Sequence, residues 1–287
     1  MMKKSSSNRS AISAIIAVAS ISALGFSNAA AAQTGDSAIV AANNEVGMAV
    51  TGNLTNYQER ATPGPADTES GWQPGFSLKG TYMGNVYGLP DVYAAIHYAR
   101  SSGNIAYHGA VQTAHGDIPY TGTDNATFNR VMARLGMGFH ITCPHHGMMI
   151  TPYIAGGYQS WNRNLRGAFG YKENYSAGLV GAGALFQYAV TPRFVVSGDT
   201  EVLAVVGGGM TPHIFNGVFG SASFGTSAEE KMTLGVDYRI TGPLHVYSNV
   251  SLTHYNYTGG PLAIPGASEP SSATNQFGMS LGLAYQF

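Results

Sequence analysis

The last thirteen residues, Asn275 to Phe287, alternate strictly between large apolar and small or polar side chains. The apolar positions are Phe277, Met279, Leu281, Leu283, Tyr285 and Phe287. Because successive side chains of a β-strand point to opposite faces, this period of two predicts a strand with one wholly apolar face. Soluble sandwich strands rarely carry so many large apolar side chains on one face. The pattern therefore favours a strand that faces lipid on one side and a polar lumen on the other.

The composition fits a membrane β-sheet protein better than an ordinary soluble domain. Asp, Glu, Lys and Arg make up 10% of the 287 residues, against roughly 25% in average soluble domains. The chain has 38 Gly, 17 Tyr and 12 Phe, but only 14 Lys and Arg. Beyond an N-terminal apolar segment, no run of about 18 apolar residues predicts a transmembrane helix. A chain so poor in charge and without helical spans fits a transmembrane β-barrel.

The N-terminus has the organisation of a secretory signal. Three basic residues within the first nine precede an apolar run from Ala11 to Phe26, and small residues follow. We expect residues 1–32 to be a cleaved signal peptide, 33–45 to be a flexible N-terminal segment and 46–287 to form the barrel domain. A helical membrane anchor is the alternative for the apolar run. Removal of the signal leaves 11 Lys and Arg against 15 Asp and Glu, a net charge of −4, which disfavours nucleic acid as a partner.

Nine further segments show the period-two alternation, which predicts an all-β, closed antiparallel transmembrane β-barrel of about ten strands, with eight or twelve as alternatives. The clearest examples run from Val131 to Ile141 and from Met232 to Ile240. The predicted connections alternate between long polar loops, such as 101–125 and 207–225, and short turns with Gly or Pro, as is typical of such barrels. Gly and Ala blur the fifth and sixth strands, where a bulge is expected. A soluble β-sandwich is the alternative fold.

Two local motifs carry a resemblance to a known class of proteins. The closing Tyr285-Gln286-Phe287 resembles the last strand of bacterial outer-membrane β-barrels, which typically ends in Phe and is read by the barrel-assembly machinery. Thr151 to Tyr158 is similar to the Pro-Tyr-x-x-x-Gly strand openings of small porin-like and OmpA-like barrels. The resemblance implies a Gram-negative outer-membrane location, contact with outer-membrane lipid and lipopolysaccharide, and an assembly signal at Tyr285 and Phe287. It implies no single activity.

The polar faces of the predicted strands carry nine charges of both signs. They are Lys79, Arg130, Arg134, Asp199, Glu201, Glu229, Lys231, Asp237 and Arg239. Barrels of about eight strands are filled by side chains, whereas open aqueous channels appear at about 16 strands. We therefore expect these lumen charges to pair inside a filled lumen. A narrow or gated pore is the alternative.

No combination of residues predicts catalysis, a metal site or a cofactor. The sequence has neither the Asp-x-Asp plus Asp-x-His arrangement of omptin-type proteases nor the His-x-Ser-Asn-Gly stretch of outer-membrane phospholipases. His254 is the best single catalytic candidate, but a lone histidine at a rim more often makes surface hydrogen bonds. Cys143, His145 and His146 are zinc-ligand types without a second ligand pair at a recognisable spacing, which favours a plain Cys-Pro turn. Gly207 to Gly209 lacks the Lys that a phosphate-binding loop needs.

The sequence thus predicts a non-enzymatic outer-membrane protein with a structural or surface-interaction role. Its long loops are rich in His, Asn, Thr, Tyr and Phe, and such loops on a rigid barrel suit recognition of an extracellular ligand. Unselected surface cover explains the same loops. A small porin-like channel is the second hypothesis, and a membrane hydrolase at the outer rim is the third.

Overall fold

The computed structural model describes residues 29–60, 67–113, 115–141, 147–214 and 217–287. Most of the predicted signal peptide and the turn that contains Cys143, His145 and His146 lie outside these ranges. Within them, no helix has the length and the apolar character needed to cross a membrane.

Ten long strands form one antiparallel sheet in which every strand pairs with its neighbours in the chain. They are β1 (Glu45–Arg60), β2 (Thr68–Val86), β3 (Leu89–Thr113), β4 (Gly116–Met137), β5 (Met148–Arg166), β6 (Lys172–Thr191), β7 (Phe194–His213), β8 (Ser227–Thr241), β9 (Leu244–Tyr257) and β10 (Ser271–Gln286). β1 also pairs with β10 along its whole length, from Glu45 opposite Gln286 to Arg60 opposite Ser271. The sheet is therefore a closed barrel, and closure satisfies the edge groups that lipid could not. The predicted fold is confirmed.

Four short strands complete the sheet structure. Phe139–His140 pairs with β5, and Ala222–Ser223 pairs with β7. Gly260–Pro261 and Ser268–Glu269 form a small separate hairpin in the connection between β9 and β10. They extend the barrel wall and its outer rim without changing the ten-strand order.

The outward face carries an apolar belt, and the inward face does not. Val50, Leu234 and Leu281 are each more than half exposed, at 69%, 66% and 57%. The belt begins at the end with the short turns, which is periplasmic in outer-membrane barrels. Its last large side chains toward the other, outer end are Leu54, Trp72, Tyr98, Val131, Tyr158, Val180, Val206, Met232, Leu252 and Phe277. This continuous band confirms the predicted alternation and fits a lipid-facing surface.

Beyond the belt the strands continue toward the outer end with polar outward side chains. Examples are Asn56, Arg100, Asn129, Asn162, Asn174, His254 and Asn275. Several of them bond across strands, as where Tyr98 Oη and Arg100 Nη1 both donate to Asn129 Oδ1, at 3.1 and 2.9 Å. A tilted spanning strand needs only about 9–11 residues, whereas β3 has 25. The barrel wall therefore projects well beyond the belt.

Two of the predicted loops are wrong in extent. Residues 101–125 form the upper part of the β3–β4 hairpin, which stays paired up to Thr113 opposite Gly116. β7 likewise continues through Gly207 to Gly209, where its pairing with β6 shifts register. Gly207 has a φ of 58°, a conformation that favours glycine. The extra residue here lies in β7, whereas the sequence predicted a bulge in the fifth or sixth strand. A second register shift, between Ala189 and Thr191, does place its extra residue in β6.

Instead of the flexible segment expected at 33–45, the structure has helix α1 (Ala29–Ala42). Ala is the best helix former, and the buried side of this helix, with Ile39 at 0% exposed, belongs to the same apolar cluster as the lumen side chains of β5, β6 and β7. Asn43 ends the helix by donating from Nδ2 to the Ile39 carbonyl at 3.1 Å. Asn44 Nδ2 then donates to the Met83 carbonyl at 2.7 Å, which ties the helix end to β2. Tertiary packing thus orders a segment whose sequence looks unstructured.

Candidate functional site in the barrel lumen

Three groups of inward side chains fill the lumen in series. Nearest the short-turn end is the periplasmic plug. We define it as α1 together with four apolar side chains at this end of the lumen, namely Met83, Met149, Leu185 and Val195. Asn43 Nδ2 also donates to Gln187 Oε1 at 2.7 Å, which anchors the plug to the inner face of β6. The helix therefore occupies the mouth of the barrel.

The second group, the ion-pair layer, contains five of the nine charges singled out in the sequence. Arg130 Nη1 lies 2.5 Å from Glu229 Oε1, and Arg134 Nη1 lies 2.7 Å from Asp199 Oδ2. Glu201 joins the two arginines, with its oxygens 3.4 Å from Arg130 and 2.8 Å from Arg134. β4 and β7 are not neighbours in the sheet, so these ion pairs cross the lumen. Charged side chains of both signs therefore extend across the lumen at this level.

The remaining four predicted charges occupy other positions. Lys79 contacts Glu45 Oε1, and Asp237 Oδ1 lies 2.6 Å from His245 Nδ1. Lys231 lines the cavities on both sides of the ion-pair layer. Arg239 instead donates to the Pro192 carbonyl at 3.0 Å, in the neighbouring short turn.

Two cavities remain between the filled levels. The larger, about 280 Å³, lies between the periplasmic plug and the ion-pair layer and is lined by both polar and apolar side chains, among them Lys79, His97, Thr233 and Asn249. The smaller, about 100 Å³, lies on the other side of Arg130 and is bounded by Phe128 and Tyr255. The ion pairs and the plug therefore leave room for water or a small solute in two adjoining cavities, which share Lys231 and Ser251 in their linings.

The third group, the outer layer, is built around the buried guanidinium of Arg163. Its Nη2 donates to Glu69 Oε1 at 2.6 Å, and its Nη1 donates to Glu173 Oε2 at 2.5 Å. Glu59 Oε1 lies 3.4 Å from the same Nη1. Three carboxylates from three different strands thus converge on one cation, and Arg163 is 2% exposed.

Aromatic rings surround this guanidinium. Trp161 stacks on Phe128 and Tyr175 with ring centroids 5.0 and 5.1 Å apart, and it meets Tyr57 edge-on at 4.7 Å. The guanidinium carbon of Arg163 lies 5.0 Å from the Tyr57 centroid, in cation–π range. Rings of this size leave little space between them, so the outer layer is packed like a protein core.

The outer layer also holds the outer connections in place. Tyr175 Oη donates to Glu269 Oε1 at 2.6 Å, and Glu269 belongs to the small hairpin between β9 and β10. Tyr107 Oη donates to Asp67 Oδ2 at 2.7 Å. The connection between β9 and β10 is therefore attached to the lumen contents.

Carboxylates outnumber the cation in this layer, and burial is the main reason that their pKa values rise. Burial raises the pKa of Glu59 to about 7, of Glu69 to about 8 and of Glu269 to about 9, although the charge of Arg163 acts in the opposite direction. These groups lie beyond the apolar belt. The outer layer therefore takes up protons in the neutral range.

Sequence reasoning missed the outer layer for identifiable reasons. Glu69 lies in the segment 60–71, whose Pro, Gly and acidic residues predicted a connection, and Arg163 lies beyond Trp161, where the fifth strand was predicted to end. The signal was nonetheless present, because Trp161 and Arg163 share one face of β5, as Glu173 and Tyr175 share one face of β6. Each of the two paired strands thus has one aromatic and one charged residue two positions apart, and the two charges have opposite signs. This pattern indicates that the two faces line the same interior.

The remaining sequence candidates have simple positions. Tyr285 and Phe287 point outward and are 56% and 65% exposed. The Phe287 amide donates to the Asn44 carbonyl at 3.1 Å, beside the β1–β10 seam. His254 also points outward, where Nδ1 lies 2.8 Å from Asn275 Oδ1. It is thus part of the polar outward surface beyond the belt rather than of the lumen.

Several solved structures are similar to this chain in fold. The outer membrane protease OmpT from Escherichia coli aligns over 85% of this chain and 97% of its own, with 8% identity and a TM-score of 0.52. The transport unit of the autotransporter AIDA-I from Escherichia coli aligns over 89% and 99%, with 12% identity and a TM-score of 0.45. The Pseudomonas putida toluene transporter TodX aligns over 87% and 91%, with 10% identity and a TM-score of 0.33.

No protein-family model matches the sequence, and no curated protein matches it. At these identities the structural likeness concerns the fold alone. The structure is a closed barrel with an outward apolar belt and short turns at one end. These features together define a transmembrane β-barrel of the bacterial outer-membrane type. The activity is not given by that class, since a fold does not determine the function that it carries.

Proposed function

We propose that this protein is a non-conducting outer-membrane barrel with a structural or surface-interaction role. One observation supports this most strongly: the periplasmic plug, the ion-pair layer and the outer layer lie in series along one lumen. A solute would have to displace a helix, cross-lumen ion pairs and stacked rings in turn. We propose a non-enzymatic role, because a fold shared with a protease is not evidence for proteolysis.

Planar-bilayer conductance of the refolded protein tests the closed lumen, with heat-modifiable gel mobility as the folding control. We expect a folded protein without channel steps. Arg130→Ala with Arg134→Ala should also stay silent, because the plug and the outer layer still close the lumen. Reproducible steps from the unchanged protein would contradict the proposal and favour a small porin-like channel, for which the two lumen cavities are the supporting observation.

The surface-interaction part of the proposal rests on the wall that projects beyond the belt, above all the β3–β4 hairpin. Its outward side chains are mostly polar and uncharged, which suits contact with sugars or with a protein surface. Replacement of residues 109–120 by Asn-Gly would join paired positions His108 and Thr121 through a two-residue turn. We expect the shortened protein to fold and insert normally. Failure to insert would indicate that the hairpin is scaffold rather than a presented surface.

We also propose contact with outer-membrane lipid and lipopolysaccharide through the belt and the polar surface beyond it, and recognition by the barrel-assembly machinery through Tyr285 and Phe287. Both side chains are exposed at the strand that closes the barrel. Deletion of Phe287 should lower the amount of heat-modifiable protein in the outer membrane. Tyr238→Ala, which removes an exposed belt aromatic of another strand, is the matched control. Equal effects of the two changes would count against an assembly signal.

A further inference from the structure

Three ionisable side chains from β1, β8 and β9 converge at the periplasmic side of the larger cavity. They are Glu45, Asp237 and His245, and one ligand-type atom of each lies within 4.8 Å of the others. His245 Nδ1 is 2.6 Å from Asp237 Oδ1 and 3.8 Å from Glu45 Oε2. Glu45 and Asp237 both line the cavity of about 280 Å³.

The wall of the barrel is shaped to allow this approach. β10 lies between β9 and β1, and its residue between them is Ala284, which pairs with His245 on one side and Gly47 on the other. A large inward side chain at 284 would separate the imidazole from the Glu45 carboxylate. The small residue brings groups of non-adjacent strands within ligand distance of each other.

Each of the three side chains also keeps a buried polar atom unused. Glu45 Oε2, Asp237 Oδ2 and His245 Nε2 have no hydrogen-bond partner in the part of the chain that the structure describes. Glu45 is 0% exposed and His245 is 2% exposed. A buried polar atom without a partner is costly. Glu45 Oε2 is such an atom and lies 3.8 Å from His245 Nδ1, so it is directed into the cluster and points to a ligand there.

We propose that Glu45, Asp237 and His245 form a binding site for one divalent transition-metal ion of the Zn²⁺ type. A neutral imidazole nitrogen and carboxylate oxygens are regular zinc ligands. The imidazole favours Zn²⁺, Co²⁺ or Ni²⁺ over Mg²⁺ and Ca²⁺, which bind oxygen ligands. The adjacent cavity leaves space for water to complete the coordination. The metal takes the place of the proton between His245 and Asp237.

Lys79 is the main competitor for this site. Its ammonium group contacts Glu45 Oε1 and lies 3.6 Å from the centroid of the Tyr247 ring. With His245 neutral, the two carboxylates exceed the one ammonium by one negative charge. A proton on His245 neutralises this charge, whereas a divalent cation neutralises both carboxylates when it displaces the ammonium group. Binding is therefore expected to release a proton and to tighten in a Lys79→Met variant.

Co²⁺ titration of the refolded protein in detergent tests the site through its visible absorption, with Zn²⁺ added afterwards as competitor. The background carries Cys143→Ser, His145→Ala and His146→Ala, which removes the only thiol of the sequence and the two imidazoles next to it in the chain. We expect one Co²⁺ per protein, displaced by Zn²⁺, and loss of that equivalent in His245→Ala and in Asp237→Asn.

His140→Ala is the matched control. Its two ring nitrogens face different carboxylates, Asp36 at 3.3 Å and Asp91 at 3.0 Å, so they do not converge on one ion. This variant should still bind one Co²⁺ per protein. Absence of saturable Co²⁺ binding, or binding of one Co²⁺ by His245→Ala, would overturn the proposal. If His245→Ala loses its heat-modifiable mobility, Asp237→Asn decides alone, because it keeps the shape of the side chain.

Discussion

The two halves of one lumen are filled in different ways. The outer half packs stacked aromatic rings around the buried Arg163, and the cavity that borders its Phe128 has a volume of about 100 Å³. The periplasmic half combines a helix with cross-lumen ion pairs and keeps a cavity of about 280 Å³. The outer half resembles a protein core, whereas the periplasmic half resembles a closed polar chamber.

The difference shows that a barrel wall does not dictate its own contents. Strand pairing and the outward belt are uniform around the barrel, yet the inward positions range from Trp161 to Lys231. Water in a chamber can replace a lost polar contact, while a packed core cannot. Stability should therefore depend mainly on the outer half, and binding on the periplasmic half.

The largest expected effect comes from the outer half and uses the only two tryptophans of the chain. Trp161→Ala removes a ring that is 1% exposed and contacts three others. We expect a loss of about 3–5 kcal/mol in the free energy of unfolding. Trp72→Ala, at a belt position 49% exposed, is the control and should cost far less. Urea unfolding in lipid measures both, and equal losses would remove the distinction between core and belt.

A smaller effect is expected when an arginine becomes a lysine in each half. Arg163→Lys keeps the charge but loses the fork that reaches Glu69 and Glu173 together, which we expect to cost roughly 1–3 kcal/mol. Arg130→Lys should cost less, because Arg130 is more exposed and borders a cavity from which water can replace the lost contact. The same unfolding measurement compares them. A greater loss at Arg130 would reverse the proposed order of the two halves.

The smallest effect is a pH dependence confined to the outer half. Burial raises the pKa of Glu69 to about 8 and of Glu269 to about 9. The folded state therefore holds protons that the unfolded state releases near pH 4.5, so the stabilisation is complete below that pH and is lost as pH rises through 8 to 9. Acrylamide quenching of Trp161 in a Trp72→Phe background should increase over this range. Glu269→Gln should flatten the pH dependence of quenching near pH 9. Quenching that increases toward acidic pH would contradict the raised pKa values of Glu69 and Glu269.

The sequence contained enough information for the fold, because the belt depends on local parity. Alternation such as that from Met232 to Ile240 indicates which face of a strand meets lipid. This inference can be made for each strand separately, before its pairing partners are known. Closure followed from ten such strands in a chain with little charge. The upper ends of β3 and β4 were missed because the alternation inverts beyond the belt. There the outward face is polar and the buried Ile105 and Tyr107 point inward, so a search for an apolar outward face took the segment for a loop.

The site could be predicted only in part, because it depends on contacts across the lumen. Arg134 and Asp199 could be placed on inward faces from parity, but their pairing needs the barrel radius and register. Glu45 and His245 are 200 positions apart, and no spacing connects them. The order in α1 comes from its burial against other strands, which a local stretch of Ala, Ser and Gln does not reveal.

Thiol accessibility within the lumen tests the central claim, that filled layers close the barrel in series, most directly. In a Cys143→Ser background, Thr233→Cys places one thiol in the larger cavity, and Val218→Cys places one on an outer connection where the side chain is 61% exposed. A small charged thiol reagent is added to the refolded protein in lipid vesicles, with denatured protein as the labelling maximum. We predict rapid labelling at 218 and little at 233. Labelling of both positions at the same rate would mean that the lumen is open.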